Sequence, residues 1–162
     1  MSSASDPAFV HVPLQALKGR GSATRLAHRF ERDAREPFDD GWPQEAEVPS
    51  APATTWVWED CRSAITRNRS PDIGFELSVN PYRGCEHGCS YCYARPSHSY
   101  LGLSPGLDFE TRLIAKRGLR TRLIHELASP GYRPGLMAVG TVTDAYQPLE
   151  RELGLTREVL EV

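Results

Sequence analysis

Residues 109–141 have the sequence FETRLIAKRGLRTRLIHELASPGYRPGLMAVGT, and this stretch decides the fold class. Residues 109–116 predict a strand, and residues 119–128 carry apolar side chains at the spacing of an amphipathic helix. Ser129, Pro130 and Gly131 end that helix, and residues 136–141 form the short apolar run of a buried parallel strand. Strand, helix and strand in this order predict a right-handed βαβ unit of an α/β protein.

The flanking segments extend the same alternation. Residues 75–80 alternate apolar and polar side chains, which predicts an earlier strand. Residues 156–162 predict a further helix with Thr156 as its N-cap. Fewer than 80 residues follow Cys85, whereas a closed (β/α)8 barrel takes about 250 residues. The sequence therefore predicts the N-terminal piece of a longer protein or a truncated gene product.

The first third of the chain differs in composition. Residues 1–55 predict a largely irregular, poorly ordered N-terminal arm with one short helix over 23–34, and ordered structure over 56–162. Six basic residues lie between positions 18 and 35, and seven acidic residues without Lys or Arg lie between 36 and 60. Such sorting is typical of a solvated tail or of a segment that folds back on a partner surface.

The overall composition excludes some functional classes. A net charge of −2 gives no global preference for a nucleic acid or an anionic membrane. No apolar run approaches the roughly 18 residues that cross a bilayer, and the N-terminus lacks the pattern of a signal peptide. We therefore predict a cytoplasmic protein without a membrane partner. Because disulfides are rare in the cytoplasm, its four cysteines are expected to be metal ligands, catalytic thiols or core residues.

Three of the cysteines form a compact motif. Residues 84–93, GCEHGCSYCY, place Cys85, Cys89 and Cys92 in a C-x3-C-x2-C spacing. Thiolates are soft ligands that suit iron–sulfur clusters, copper(I) or zinc. Three thiolates would leave one iron of a [4Fe–4S] cluster open, whereas a structural zinc site needs a fourth ligand. Gly84 and Gly88 suit a loop whose backbone wraps closely around a bulky inorganic group.

The alternative site is zinc, and its fourth ligand would be His87, His98 or Cys61. Outside such a site, Cys61 is expected to be a small core residue and His98 to pack in its loop. Three other residues have two possible roles each, in the site or in packing and solvation: His87, Tyr93 and Lys116. Arg83 and Arg95 flank the motif and would either bind a substrate phosphate or balance the charge of a cluster.

The motif resembles that of the radical S-adenosylmethionine superfamily, which has an aromatic residue just before the third cysteine. Three longer runs are similar to bacterial members grouped with the spore photoproduct lyase and labelled DNA repair photolyases. These runs are NPYRGCEHGCSYCYARPSH at 80–98, LGLSPGLDFET at 101–111 and GTVTDAYQPLE at 140–150. The resemblance covers residues 60–162 and implies the first βα units of a partial TIM-like barrel.

The resemblance also implies a chemistry. Cys85, Cys89 and Cys92 would hold a [4Fe–4S] cluster whose open iron binds S-adenosylmethionine, which is cleaved reductively to a 5′-deoxyadenosyl radical. Tyr91 would lie near the adenine. Thr141, Thr143 and Asp144 would face the cofactor from the carboxyl end of strand 136–141. An electron donor such as flavodoxin or ferredoxin is implied, and DNA or RNA is the candidate substrate.

One departure from the namesake lyase limits this resemblance. That enzyme uses a hydrogen-donor cysteine at a position that we place near Thr141, and this chain has no cysteine after Cys92. This difference counts against the photoproduct-repair reaction but not against cleavage of the cofactor. The alternative to a radical enzyme is a non-catalytic iron–sulfur or zinc-binding module.

Overall fold

The computed structural model describes residues 52–162 together with Gly21, Ser22, Leu26, Arg29 and Phe30. Most of the predicted arm over 1–55, and most of its predicted helix over 23–34, lie outside the described residues. Within residues 52–162 the chain forms four short strands, then two short helices, and then strand, helix, strand and two further helices.

The strands are short, and six of them occur between residues 52 and 162. They are β1 (Thr55–Asp60), β2 (Ile65–Arg67), β3 (Leu77–Val79), β4 (Tyr82–Arg83), β5 (Arg112–Arg117) and β6 (Met137–Val139). In the same range the α-helices are α1 (Leu107–Thr111), α2 (Leu119–Leu127), α3 (Glu150–Leu153) and α4 (Leu155–Leu160). A 3-10 helix spans Arg95–Leu101.

The strands form two mixed sheets. In the first, β5 lies between β1, which is parallel to it, and β4, which is antiparallel to it. In the second, β3 lies between antiparallel β2 and parallel β6. The α/β class is confirmed, and two parallel strand pairs are present. The strands described here form no closed barrel.

The predicted parallel sheet is wrong in one respect, because β5 and β6 belong to different sheets. Both edges of β5 are occupied, by β1 and β4, so β6 has no free edge of β5 to join. It pairs with β3 instead, in the register Leu77↔Met137 to Val79↔Val139. The carboxyl ends of β3 and β6 consequently lie side by side.

Two local predictions also need correction. Residues 109–111 of the predicted strand 109–116 belong instead to α1, whose acidic Asp108 and Glu110 lie in the first turn, where the helix dipole favours negative charge. Thr156 is not an N-cap, because α4 begins after Gly154. Gly154 is the N-cap residue, and the Glu150 carboxylate from α3 accepts the N–H groups of Thr156 and Arg157, each at 3.0 Å.

The predicted helix α2 is confirmed, and its apolar face builds the main core. Leu119 and Leu123 are buried against Ala64 and Val79, and Val159 of α4 joins them. Each buried leucine stabilises the fold by about 1.5–3 kcal/mol relative to an exposed one. A second cluster surrounds Tyr82, Leu113, Ala115, Leu149 and Leu155.

None of the helices in the described part of the chain has the length and apolar character of a membrane span. The longest α-helix there, α2, has 9 residues.

Candidate metal and cofactor site

The cysteine motif begins where the chain leaves β4. Gly84 adopts φ +82°, a conformation that L side chains rarely adopt. An added Cβ would also lie only 2.8 Å from the Phe109 carbonyl oxygen and 2.9 Å from both His98 and Leu113. The next residue, Cys85, donates its N–H to that same Phe109 oxygen at 2.9 Å. The first cysteine is therefore fixed to the framework at the end of a strand.

All three motif cysteines line one cavity of about 160 Å³. The cavity lies between the cysteine loop and the turn that follows β6. Its lining residues are Cys85, His87, Cys89, Cys92, Tyr93, Ala94, Gly140, Thr141, Thr143 and Asp144. The structure thus brings together the predicted ligand triad and three of the four residues predicted to bind the cofactor.

The thiols at this cavity are free and unequally buried. Cys85 is buried, whereas Cys89 and Cys92 are half-buried. Burial raises the pKa of the Cys85 thiol, while backbone hydrogen bonds with His87 and Asp144 act in the opposite direction. Among the described residues, no three His, Cys, Asp or Glu side chains are grouped closely enough to hold a metal ion. Three thiols are soft donors that suit an iron–sulfur cluster, but their sulfur atoms would have to move closer together to bind one.

The turn after β6 is joined to the end of β3. Gly140 has φ +79°, and a Cβ there would lie 3.0 Å from the Thr143 carbonyl oxygen. The Asn80 side-chain amide exchanges hydrogen bonds with the Thr141 hydroxyl at 3.1 and 3.2 Å, and its oxygen accepts the Val142 N–H at 2.9 Å. Asn80, which follows β3, therefore fixes the turn at Thr141 and Val142 and with it the polar side of the cavity.

Thr143 fastens this turn to the cysteine loop. Its hydroxyl donates to the Gly84 carbonyl oxygen at 2.6 Å and accepts from the Gln147 amide at 3.1 Å. Gln147 is fully buried, and its side-chain oxygen accepts the Glu86 N–H at 3.3 Å. The Thr143 hydroxyl, predicted to face a cofactor, is thus hydrogen-bonded within the protein. It reaches Gly84 directly and Glu86 through Gln147, and these two residues flank Cys85.

Asp144 and His87 meet at the mouth of the cavity. Their Oδ2 and Nδ1 atoms are 3.1 Å apart, and both side chains are exposed. The other Asp144 oxygen accepts the Tyr146 N–H at 2.7 Å. The His87 ring therefore contacts a carboxylate that also lines the cavity.

The two loop tyrosines differ in position. Tyr91, predicted to lie near the adenine, is 88% exposed and does not line the cavity. Tyr93 lines it and donates its hydroxyl to the Thr141 carbonyl oxygen at 2.5 Å. This contact connects the end of the cysteine motif to the end of β6. The role of Tyr91 stays a prediction.

The second cysteine is held by a buried ion pair that the sequence did not indicate. Arg95 donates to the Cys89 carbonyl oxygen from Nε at 3.1 Å and from Nη2 at 2.9 Å. It also donates to the Gly106 carbonyl oxygen at 3.1 Å and pairs with Glu110, which is fully buried. Arg95, predicted to bind a substrate phosphate or to balance charge, instead positions the loop through these contacts. No sequence signal links two residues 15 positions apart across a helix and a turn.

Two of the three candidates for a fourth zinc ligand lie elsewhere. His98 is fully buried, and burial lowers its pKa. Its Nε2 contacts the Arg112 carbonyl oxygen at 2.9 Å, and its ring meets the Phe109 ring edge-on. The prediction that His98 packs in its loop is confirmed. Cys61 lines a separate cavity of about 610 Å³. Only His87 of the three lines the cysteine cavity.

Lys116 and Arg83 line the same cavity as Cys61. Burial lowers the pKa of Lys116, and Arg83 pairs with Glu59 at 3.2 Å. Because β4 runs antiparallel to β5, the cysteine loop leaves β4 toward the Arg112 end of β5, and Lys116 lies near the other end. A contact between Lys116 and a cofactor at the cysteine cavity is therefore not supported.

Comparison with known proteins gives relatives whose functions are not described. The chain is 44% identical over 98 residues to an uncharacterised protein of Mycobacterium tuberculosis, and to its Mycobacterium bovis counterpart, covering 59% of this chain and 28% of theirs. It is 28% identical over 88 residues to an uncharacterised protein of Methanocaldococcus jannaschii, covering 54% of this chain and 31% of that one. The chain spans less than a third of the length of these relatives. No protein-family model and no solved structure matches it.

Proposed function

We propose that this chain is the cluster-binding part of a radical S-adenosylmethionine enzyme. Cys85, Cys89 and Cys92 would hold a [4Fe–4S] cluster. The observation that carries the proposal is that these three thiols, and no fourth cysteine, line one cavity at the carboxyl end of β6. When bound, a cluster with one iron free of protein ligands binds S-adenosylmethionine and supplies the electron that cleaves it to methionine and a 5′-deoxyadenosyl radical.

The residues opposite the cysteines suit the polar parts of that cofactor. The Thr141 and Asp144 side chains line the cavity and offer a hydroxyl and a carboxylate for an ammonium group or a ribose. Thr143 acts through the loop, since its hydroxyl holds Gly84. Tyr91, exposed beside the third cysteine, stays the candidate for the adenine.

A zinc site is the weaker alternative. Structural zinc is closed by four ligands, and only His87 is placed to add a nitrogen to the three thiols. Because the His87 ring contacts Asp144 through Nδ1, Nε2 is the nitrogen that would have to bind zinc. A non-catalytic iron–sulfur module remains the second candidate, because the described strands form two small sheets rather than a barrel.

The decisive experiment is anaerobic reconstitution of the 162-residue chain with iron and sulfide. We expect brown protein with about four irons and four sulfides per chain. The Cys85→Ala, Cys89→Ala and Cys92→Ala variants should lose them, and Cys61→Ala, whose sulfur lies in the other cavity, should not. A folded wild-type chain that binds stoichiometric zinc and never takes up iron and sulfide would refute the proposal.

A second assay separates the enzyme from the module. The reconstituted chain is reduced with dithionite in the presence of S-adenosylmethionine, and 5′-deoxyadenosine and methionine are quantified. Formation of both products supports the enzyme, and a stable cluster without cofactor cleavage supports the module for this part of the protein. The proposed electron donor in the cell is a flavodoxin or ferredoxin.

The substrate proposal is a nucleic acid, DNA or RNA, and it rests on the sequence resemblance alone. Binding through phosphates would weaken as salt rises. Absence of binding to single- or double-stranded DNA and RNA even at low salt would count against it. The four free thiols favour a reducing compartment, so we place the protein in the cytoplasm.

A further inference from the structure

Part of the N-terminal segment contacts the cysteine loop directly. The Gly21 N–H donates to Oε2 of Glu110 at 3.0 Å. A Cβ added at Gly21 would overlap the carbonyl oxygen of Gly88 and would lie 3.1 Å from Nη2 of Arg95. Since Gly88 immediately precedes Cys89, the backbone of Gly21 rests on the loop at its second cysteine.

A continuous chain of hydrogen bonds links Gly21 to that cysteine. Glu110 accepts from Gly21 with one oxygen and pairs with Arg95 through the other. Arg95 in turn donates twice to the Cys89 carbonyl oxygen. The Glu110 side chain is fully buried and that of Arg95 is 12% exposed, so little water competes for these bonds.

A second anchor lies at Leu26. The Ser104 hydroxyl accepts the Leu26 N–H and donates to the Leu26 carbonyl oxygen, both at 2.7 Å. The same hydroxyl accepts the Gly106 N–H at 3.2 Å. Because Arg95 also binds the Gly106 carbonyl oxygen, the two anchors join in the turn before α1.

A third anchor is exposed. Arg29 lies over the Tyr100 ring at 5.0 Å and donates to its hydroxyl at 2.9 Å. The Phe30 ring is 5.5 Å from the Tyr100 ring. Tyr100 belongs to the 3-10 helix that follows the third cysteine. The three anchors therefore lie on segments that flank the cysteine motif or support it.

We infer that Gly21, Leu26, Arg29 and Phe30 act as a clasp that positions the cysteine loop. Gly21 is its positioning residue, because only a residue without a side chain fits against Gly88. The clasp restrains the Cys89 backbone whether or not a metal is bound. Where the proposed cluster binds, the clasp would also slow its loss, and that second consequence rests on the proposed function.

The test is thiol alkylation in the metal-free 162-residue chain, with Cys89 and Cys61 followed separately by peptide mass spectrometry. Gly21→Val should speed Cys89 alkylation about fivefold to tenfold, as expected when a restraint on local opening is lost. Cys61 lies in another cavity and should keep its rate, which makes it the internal control. Gly74→Val is the matched variant, because a Cβ at Gly74 meets nothing within 4 Å.

A milder variant guards against loss of folding. Arg29→Ala removes only an exposed anchor and should raise Cys89 alkylation about twofold while the circular dichroism stays that of the wild type. Wild-type Cys89 rates in folded Gly21→Val, or in Arg29→Ala if Gly21→Val does not fold, would overturn the clasp.

The rate at which the cluster loses iron tests the second consequence of the clasp. In reconstituted protein, Gly21→Val should release iron to a chelator faster than Gly74→Val does. If the wild type takes up no cluster, the proposed function fails while the alkylation comparison still decides on the clasp. If the cluster forms and both valine variants release iron equally, the clasp has no role at the cluster.

Discussion

The Thr143 hydroxyl donates to the Gly84 carbonyl oxygen at 2.6 Å, which joins the turn after β6 to the residue just before the first cysteine. Both residues are buried, so the bond is shielded from water. It connects two segments that are 59 residues apart in the chain. The geometry of the cavity depends on this connection.

Replacing Thr143 by valine keeps the shape of the side chain and removes the hydroxyl. The Gly84 carbonyl oxygen then keeps only the 3.5 Å hydrogen bond from the Gln147 amide, and that amide loses its nearer acceptor, the Thr143 hydroxyl at 3.1 Å. We expect the free energy of unfolding to fall by about 1–3 kcal/mol, the cost of leaving buried polar groups unsatisfied. Urea denaturation measures it, with exposed Thr66→Val as a control that changes stability by less than about 0.5 kcal/mol. Equal effects of the two substitutions would contradict this role of Thr143.

Gly84→Ala tests the tight backbone before Cys85. Alanine at φ +82° is strained and its Cβ meets three groups within 3 Å, so we expect a loss of about 2–5 kcal/mol. Gly118→Ala has a similar φ of +72° with nothing within 4 Å of its Cβ and should cost only about 1–2 kcal/mol. The difference between the denaturation midpoints of the two variants measures the part of the destabilisation that comes from steric contacts at Gly84. Two equal losses would show that crowding at Gly84 is unimportant.

Glu110→Gln breaks the buried ion pair with Arg95. An arginine left without its charge partner at 12% exposure should cost about 3–5 kcal/mol of stability. The matched control is Glu161→Gln, which removes an exposed pair with Arg157 and should cost less than about 0.5 kcal/mol. Thermal unfolding of both variants at neutral pH makes the comparison. A mild effect at Glu110 would mean that Arg95 finds other partners.

The stability of the chain should fall in acid partly through Glu126. Burial raises the pKa of this carboxyl, but the N–H groups of Ile65 and Ala64 and the Arg122 side chain outweigh it and hold the pKa below its ordinary value. Stabilisation is therefore complete above the unfolded-state pKa, about 4.3, and is lost as the pH falls through the lower folded-state pKa. Unfolding free energies from pH 7 to pH 3 should decline less steeply in Glu126→Gln than in the wild type. Parallel profiles would rule out this contribution.

The two loop tyrosines should behave differently if the cavity holds the proposed cluster. Tyr93 lines the cavity and bonds to Thr141, so Tyr93→Phe should change the electron paramagnetic resonance spectrum of the reduced protein with S-adenosylmethionine. Tyr91→Phe removes only a hydroxyl from an exposed ring and should leave the cluster spectrum without cofactor unchanged. Identical spectra for wild type and Tyr93→Phe would argue against a role of Tyr93 beside the cluster.

The elements that the sequence predicted well are those whose signal is local. Leu119 and Leu123 recur at helical spacing, and the structure buries both in α2. The apolar run at 136–141 contains β6, and the cysteine spacing alone sufficed to group three thiols that line one cavity. These patterns depend on neighbours a few residues apart, which the sequence displays directly.

The parts that the sequence did not predict depend on distant partners. Residues 109–111 look like strand residues, yet they are helical where Glu110 is buried against Arg95. Asn80 and Gln147 hold the cavity through partners 61 to 63 residues away, and nothing in their neighbourhoods indicates this. Likewise, β5 and β6 lie in different sheets because β4, a strand of two residues, takes an edge of β5.

Fixation of Gly84 has a consequence for the assembly of the site. With Cys85 already part of the folded framework, bringing the other two thiols to a common metal requires only a rearrangement within residues 86–92, a short loop with a small closure entropy. The Cys85 thiol is thus already in position, and the Cys89 and Cys92 thiols need to move only a short distance to join it. Metal capture at such a site would begin at Cys85, and the Cys89 and Cys92 thiols would then turn toward the metal on a loop whose backbone Arg95 already holds at Cys89.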